Sequence, residues 1–218
     1  QRQVLRLHFS RHNQEATSFG FRGRIAALCL ALVALTTRAQ AQAPAHEHGI
    51  ADQHHIEAQR AGAALSIDGV LDEAAWQAST IVDTFTQEEP SDGAPATERT
   101  EVRLLYDATH LYIGVRAFDS DPRGVIATEM RRDSQQMLEE DNFQVILDTF
   151  RDSRSGYMFV TNPLGAKLEQ QVFEEGGGNV RGATANINRD WNGVWDVAAK
   201  RTSEGWTAEI SIPMVTVR

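Results

Sequence analysis

Acidic side chains gather at the ends of two predicted strands, where they could bind a cation. They lie in two short segments of the sequence: Asp119, Asp121, Glu139, Glu140 and Asp141. Hard carboxylate oxygens supplied by adjacent loops are the ligands that Ca²⁺ prefers in proteins. The pattern therefore predicts a partial calcium site that ties residues 119–141 to the domain. A solvated acidic rim is the alternative interpretation.

Aromatic stacking is the second chemistry that the sequence offers. Trp191 and Trp195 flank Asn192 and Gly193, and such an arrangement can form an exposed stacking platform. We expect Trp191 to lie at the surface and Trp195 to lie in the core. The two remaining tryptophans have apolar neighbours within strands or turns, so we expect both in the core: Trp76 and Trp206.

Two further groups of residues have both a functional and a structural interpretation. Arg131, Arg132 and Asp133 could bind an anionic group or form surface salt bridges, which contribute little stability when exposed. Imidazole side chains that precede the predicted domain have a spacing that suits Zn²⁺ or Cu²⁺: His46, His48, His54 and His55. No cysteine or fixed scaffold accompanies these histidines, so a flexible tail is the favoured interpretation.

Catalysis has little support in the sequence. Glu140 and Asp148 could serve as an acid and a base, but no feature places two carboxyl groups across a cleft. The only cysteine, Cys29, precedes the predicted domain, which also lacks a Ser/His or Cys/His pair. We therefore expect a non-catalytic domain without disulfides or thiolate chemistry.

The elements that position these residues are predicted to be short β-strands. Residues 101–106 and 111–118 are β-type runs separated by the turn 107–110, which is the local signal for a hairpin. Residues 142–150 form a third strand. Because successive side chains of a strand point to opposite faces, one parity of this strand is predicted to face the core: Phe143, Val145 and Leu147.

More strands follow the same pattern on both sides of this central stretch. We expect a strand at 81–85, a hairpin of 156–162 with 167–173, and a strand pair of 193–199 with 206–212. Before them, Asp72 is expected to cap a brief helical turn that carries Trp76 inward. Many short strands separated by turn signals predict an all-β fold, an antiparallel β-sandwich of the immunoglobulin-like or jelly-roll-like kind.

Charge and hydropathy divide the chain into a leader and an acidic domain. Residues 1–41 carry six Arg against one Glu, whereas the rest carries 15 Lys and Arg against 29 Asp and Glu. An acidic domain repels phosphate backbones, so nucleic acid is not expected as a partner. Residues 22–41 read as a secretory signal peptide, because a basic flank and an eleven-residue apolar run precede an A-Q-A site. We therefore expect export to the periplasm, the outer membrane or the medium of a Gram-negative bacterium.

Four segments are expected along the chain. Residues 1–21 lack an initiating Met and are expected to be upstream read-through or disordered. Residues 22–41 are the predicted signal peptide, and 42–64 a flexible linker rich in His, Ala and Gln. Residues 65–218 are the predicted β-sandwich.

Several motifs in order resemble the family 9 carbohydrate-binding module. They are IDGVLDEAAW, TEVRLLYDATHLYIGVRAFD, EEDNFQVILDTF and GWTAEISIP. The sequence resembles most the branch at the N-terminus of predicted outer-membrane β-barrel proteins, through RRD, FVTNPLG and WNGVWDV. This resemblance implies a β-sandwich that is incomplete at its C-terminus. It also implies structural calcium and the expectation of a downstream barrel or glycosidase domain, with any membrane contact made through that region.

The resemblance also implies where a sugar would bind. Sugar-binding members hold a ring between two Trp side chains and fix its hydroxyls with Glu and Arg. Alignment with these members puts Leu138 at one Trp, Gln144 at the Glu and Val160 at the Arg. Because these contacts are replaced, we expect weak glycan binding at most, carried by Trp191 and Tyr157 on an open face.

Three candidate functions follow from the residues and the family resemblance. The first is a non-catalytic module that binds xylan, cellulose or another glycan and is linked to polysaccharide catabolism. The alternative is a structural periplasmic domain of an outer-membrane protein that binds no sugar. The third is a glycosidase, either with paired carboxylates such as Glu140 and Asp148 as its acid and base or with a catalytic domain that lies downstream.

Overall fold

The computed structural model describes residues 6–12, 57–87, 90–152, 154–174 and 185–218. The predicted signal peptide at 22–41 and the four histidines lie outside these ranges. The described elements of the chain are short, and nearly all of them are strands. In chain order they are β1 (Arg6–His12), β2 (Gln59–Arg60), α1 (Ala74–Ala78), β3 (Thr100–Tyr106), β4 (His110–Phe118), a 3₁₀ helix (Gln135–Glu139), β5 (Asn142–Asp148), β6 (Ser155–Thr161), β7 (Lys167–Glu174), β8 (Ala185–Asn188), β9 (Asp196–Thr202) and β10 (Gly205–Pro213).

The strands form two five-stranded sheets. Sheet A has the order β1-β5-β6-β7-β8, and sheet B has the order β2-β3-β4-β10-β9. Every strand pair is antiparallel except β2 with β3, which is parallel. The inner faces of both sheets contribute to one hydrophobic core, so the predicted antiparallel β-sandwich is confirmed.

Strand parity explains which residues enter this core. The inward positions predicted for β5 are buried: Phe143, Val145 and Leu147. In β4 one parity is buried in the same way, but Tyr112 and Gly114 on the other parity are buried as well. The reason is that α1 and the segment before it cover the outer face of sheet B. A Cβ added to Gly114 would lie 2.2 Å from Leu71 Cδ2 and 3.0 Å from Trp76 Cζ3.

A buried polar contact fastens this N-terminal segment to sheet B. Glu209 on β10 is completely buried, and its Oε2 accepts hydrogen bonds from the N–H groups of Asp68 and Gly69, both at 2.8 Å. Its Oε1 accepts a third from Trp76 Nε1, at 2.8 Å. Burial raises the pKa of Glu209, and these hydrogen bonds oppose that effect.

Some predicted elements differ from the observed ones. Residues 81–85 are not a strand; they make only an isolated bridge between Val82 and Val102. Asp72 does not cap α1, because Glu73 occupies the N-cap position, where no side-chain hydrogen bond forms. β5 ends at Asp148, and Phe150 beyond it is exposed. β1 lies in a stretch that the sequence analysis left outside the domain.

Candidate functional site

Trp191 differs from the other three tryptophans of the chain in its exposure. Its side chain is half-buried, whereas the others are almost completely buried, as predicted: Trp76, Trp195 and Trp206. The ring centroid of Trp191 lies 4.8 Å from that of Tyr157, at an interplanar angle of 42°, and 5.8 Å from that of Phe159, at 76°. One side of the indole therefore packs on β6, and the rest reaches the surface.

An exposed apolar patch borders the indole. Gly193 approaches the ring so closely that an added Cβ would lie 2.7 Å from Trp191 Cη2. The next residue, Val194, is 73% exposed, and its carbonyl accepts a hydrogen bond from Thr216 Oγ1 at 2.6 Å. Val215, beside Thr216, is 70% exposed. We call Trp191, Asn192, Val194 and Val215 the Trp191 surface.

An ion pair between the exposed Arg132 and the buried Glu169 holds the loop that carries the Trp191 surface. Arg132 Nη2 donates hydrogen bonds to Glu169 Oε1, to Asn192 Oδ1 at 2.7 Å and to the carbonyl of Gly193 at 2.9 Å. Glu169 is 1% exposed, and its Oε2 accepts from Trp195 Nε1 at 2.9 Å. These contacts support the salt-bridge interpretation of the Arg-Arg-Asp motif, with Arg132 as a positioning residue.

Tyr157 packs against the indole of Trp191 from the core side. Only 6% of the residue is exposed, and its hydroxyl donates to the carbonyl of Arg218 at 3.2 Å. The expectation that Tyr157 shares an open face with Trp191 is therefore wrong. The reason is strand parity: Tyr157 pairs with the inward-facing Leu147 and so lies on the core face of sheet A.

Comparison with known proteins identifies the family. The model named Carbohydrate family 9 binding domain-like matches residues 67–218. The chain belongs to this family. Its domain is therefore of a kind that binds carbohydrate without catalysis, and the family predicted from the motifs is confirmed. No curated protein sequence matches the chain.

Three solved structures are similar to this family 9 domain. A family 9 module from Caldicellulosiruptor kristjanssonii in complex with glucose is 15% identical, with a TM-score of 0.49, over 74% of this chain and 69% of that chain. A complex of such a module from the same organism with cellotriose is 16% identical, with a TM-score of 0.45, over 71% and 65%. A protein of Bacteroides uniformis described as a candidate carbohydrate-binding protein is 12% identical, with a TM-score of 0.52, over 73% and 72%.

The residues that the resemblance aligned with sugar contacts lie elsewhere in the domain. Gln144 pairs with Val160 across β5 and β6, and both have the opposite parity to Tyr157, so they lie on the outer face of sheet A. Gln144 Nε2 donates to Asn142 Oδ1 at 2.9 Å. The four predicted sugar contacts therefore fall into two pairs on opposite faces of the sheet: Gln144 with Leu138, and Trp191 with Tyr157.

A second apolar cluster covers this outer face. Leu138, from the 3₁₀ helix, packs against Met137, Met158, Val160, Ala166, Leu168 and Val172. Met137 and Val160 are completely buried. At the two positions that the resemblance aligned with a stacking ring and a guanidinium, Leu138 and Val160, this family 9 domain has a packed hydrophobic cluster.

The acidic residues predicted to bind calcium do not converge on one point. Within the described ranges, no group of three or more His, Cys, Asp or Glu side chains is placed to hold a metal. Glu139 is exposed, while Asp119 accepts a hydrogen bond from the N–H of Asp121 at 2.8 Å. The residues present therefore do not fit a calcium ion in this arrangement.

Two of these carboxylates instead bind the loop directly. Glu140 accepts hydrogen bonds from the hydroxyl of Thr128, from its N–H at 2.8 Å and from the N–H of Glu129 at 3.1 Å. Asp141 Oδ2 accepts from the N–H of Ile126 at 2.7 Å. The attachment of the loop to the sandwich, which the sequence analysis assigned to a metal, is made here by carboxylate–amide hydrogen bonds.

The acid and base considered for a hydrolytic role are also engaged structurally. Glu140 makes the contacts just described. Asp148 Oδ1 accepts a hydrogen bond from the N–H of Arg151 at 2.6 Å, in the turn after β5.

In the described ranges, no helix has the length and apolarity needed to cross a membrane.

Proposed function

We propose that this family 9 domain is a non-catalytic carbohydrate-binding module and that the Trp191 surface is its binding site. Family membership supplies the class of ligand. The observation that carries the location is the half-exposed indole of Trp191, since the other three tryptophans are buried. A flat aromatic face packs well against the C–H face of a pyranose ring.

The proposed site binds one face of a sugar. Tyr157 and Phe159 hold the indole from the core side, so only one side of it remains for a ligand. Asn192 lies beside the ring and is fixed by Arg132, which makes its amide a suitable partner for a sugar hydroxyl. A one-sided stack without a charged clamp supports a dissociation constant on the order of 1 mM.

Calorimetry with xylan, cellulose and their oligosaccharides tests this proposal. We expect weak, saturable binding that Trp191→Ala abolishes and that Trp191→Phe retains in part. Phe118→Ala is the matched control, because Phe118 is also a half-buried aromatic residue. It pairs with Gly205 at the start of β10, whereas Val215 of the Trp191 surface follows the other end of β10, where Pro213 pairs with His110. The two ends of β4 are about 27 Å apart along the strand. Binding that survives Trp191→Ala would show that the site lies elsewhere.

A structural domain that binds no sugar is the second candidate. The apolar cluster on the outer face of sheet A favours it, because that cluster contains Leu138 and Val160, two of the positions that the resemblance aligned with sugar contacts. In this case the domain would serve as a periplasmic element of an outer-membrane protein. Absence of heat and of spectral change with every glycan tested would favour this candidate over the first.

We also propose that the protein is exported, on the strength of the leader at residues 22–41. A glycan-binding module acts where polysaccharides are found, so export and the proposed binding are consistent. Mass spectrometry of the protein from its native host should show a chain beginning near Gln42 or Pro44. A chain that retains residues 25–35 would contradict the proposal.

A further inference from the structure

β5 is the point at which sheet A receives a strand from a distant part of the chain. β1 pairs antiparallel with the whole of β5, from Arg6 opposite Asp148 to His12 opposite Asn142. β1 is also the first strand in the order of sheet A, so no described strand pairs with its other edge. β5 is an inner strand of the sheet only because β1 is present.

The two strands are not joined by a hairpin. β2, β3 and β4, which all belong to sheet B, lie between them in the sequence. On its other side, β5 pairs with β6, which follows it directly along the chain. The β1–β5 pairing therefore resembles the addition of a separate strand to an edge, which relies on the backbone ladder rather than on a turn.

β5 has the features of a strand-accepting edge. If β1 were absent, alternate residues along this seven-residue strand would present unpaired N–H and C=O groups at the open edge. Its inward residues lie in the core, so the strand itself is held in place by packing: Phe143, Val145 and Leu147. In the register of β1, Leu7 stands opposite Leu147 and Phe9 opposite Val145, whereas Arg11 stands opposite Phe143. Two apolar residues at alternate positions of the added strand therefore face the inward parity of β5.

We propose that the β5 edge is an interaction surface for an extended peptide strand and that residues 6–12 are a detachable occupant of this surface. A partner that fits is a segment with apolar residues at alternate positions, which pairs antiparallel with Asn142–Asp148. Removal of the leader on export would free this edge for a strand from another chain. The proposal does not depend on glycan binding.

Hydrogen exchange of the full chain tests the proposal. Phe9→Pro combined with Ser10→Pro removes a ladder N–H whichever of the two adjacent positions donates to β5. We expect the β5 amides that face β1 to exchange roughly tenfold faster or more. Amides in β9, at the edge of sheet B, are the internal control and should not change. A synthetic peptide of residues 4–14 should restore protection in a saturable manner, and the same peptide with both prolines should not.

Two results would overturn the proposal: unchanged exchange in β5 of the proline variant, or failure of the peptide to restore protection. If β9 amides also exchange faster, the variant has lost its fold, and a crosslinking experiment on the wild-type chain then tests the proposal. An excess of the peptide with a photo-crosslinker at Phe9 should crosslink to β5 near Val145. Crosslinks that fall only outside β5, or none at all, would contradict the inference.

Discussion

At the scale of single residues, Glu140 shows how a carboxylate can stabilise a loop without a metal. It is buried, and burial alone would raise its pKa. The hydrogen bonds from the hydroxyl and N–H of Thr128 and from the N–H of Glu129 outweigh this effect, so the pKa of Glu140 lies below its ordinary value of 4.5. The carboxylate form is therefore favoured in the folded protein.

This lowered pKa predicts an acid-dependent contribution to stability. The contribution of Glu140 is fully present above about pH 4.5, the ordinary value for its carboxyl, and is lost as the pH falls through the folded-state pKa. Glu140→Gln should cost about 1–3 kcal/mol in the free energy of unfolding at neutral pH, because an amide cannot accept all three hydrogen bonds. Urea denaturation between about pH 3 and pH 7, a range that extends below and above the ordinary pKa of a glutamate carboxyl, measures both effects.

The exposed neighbour provides the control for this experiment. Glu139→Gln should leave the free energy of unfolding within about 0.5 kcal/mol of wild type, as is usual for surface substitutions. Equal losses in the two variants would show that the Glu140 contacts contribute no special stability.

The residue scale also shows where sequence reasoning about the site succeeded and failed. The exposure of Trp191 and the burial of the other tryptophans were predictable from their apolar or polar neighbours. The burial of Tyr157 was not, because it depends on the parity of β6 relative to β5. The role of Arg132 could be predicted only as one of two alternatives, since its partner Glu169 is distant in sequence.

At the scale of elements, turn chemistry fixes how strands are joined. Gly205 begins β10 with φ of +137°, and an added Cβ would lie 2.1 Å from the carbonyl oxygen of Ala117 on β4. Gly205→Ala should therefore destabilise the domain by at least about 1–3 kcal/mol, through backbone strain and steric overlap. Thermal unfolding followed by circular dichroism provides the measurement.

Gly62 offers a matched control for this substitution. An added Cβ at Gly62 meets no atom within 4 Å. Gly62→Ala should leave the melting temperature close to that of wild type or raise it slightly. Similar losses at both positions would contradict the assignment of strain to the β9–β10 turn.

The hairpins were the elements that the sequence predicted best. The pairings of β3 with β4, β6 with β7 and β9 with β10 join neighbours along the chain and follow local turn signals. Residues 81–85 have strand-like composition but make only one isolated bridge, since no local signal supplies them with a partner strand. β1 was missed because its partner, β5, lies far along the chain, although Leu7 and Phe9 alternate with polar residues.

At the scale of the whole molecule, the family 9 domain has one hydrophobic core to which both sheets contribute and a second apolar cluster on the outer face of sheet A. The sandwich and its core follow from strand alternation, and a sequence pattern is enough to predict them. The packing on the outer face of sheet A does not follow from strand alternation, because the 3₁₀ helix that covers this face is placed by tertiary contacts. The structure was therefore needed to show that the predicted sugar contacts lie on opposite faces of this sheet.

Calcium provides a test of stability at this scale. We expect the domain to melt at the same temperature in calcium and in chelator, because Glu140 and Asp141 already bind backbone N–H groups. An ion that binds only the folded state would raise the melting temperature with its free concentration. Such a rise would show that the carboxylates of residues 119–141 rearrange to form the predicted site.

The central claim is that a glycan stacks on Trp191, and the four indole N–H groups allow this to be tested in one experiment. Nuclear magnetic resonance titration of the isotope-labelled chain with cello- and xylo-oligosaccharides detects binding even at millimolar affinity. The account predicts a saturable shift of the Trp191 indole N–H signal, with the signals of the three buried tryptophans almost unchanged. Shifts that instead concentrate on Gln144 and Leu138, with Trp191 unaffected, would contradict it.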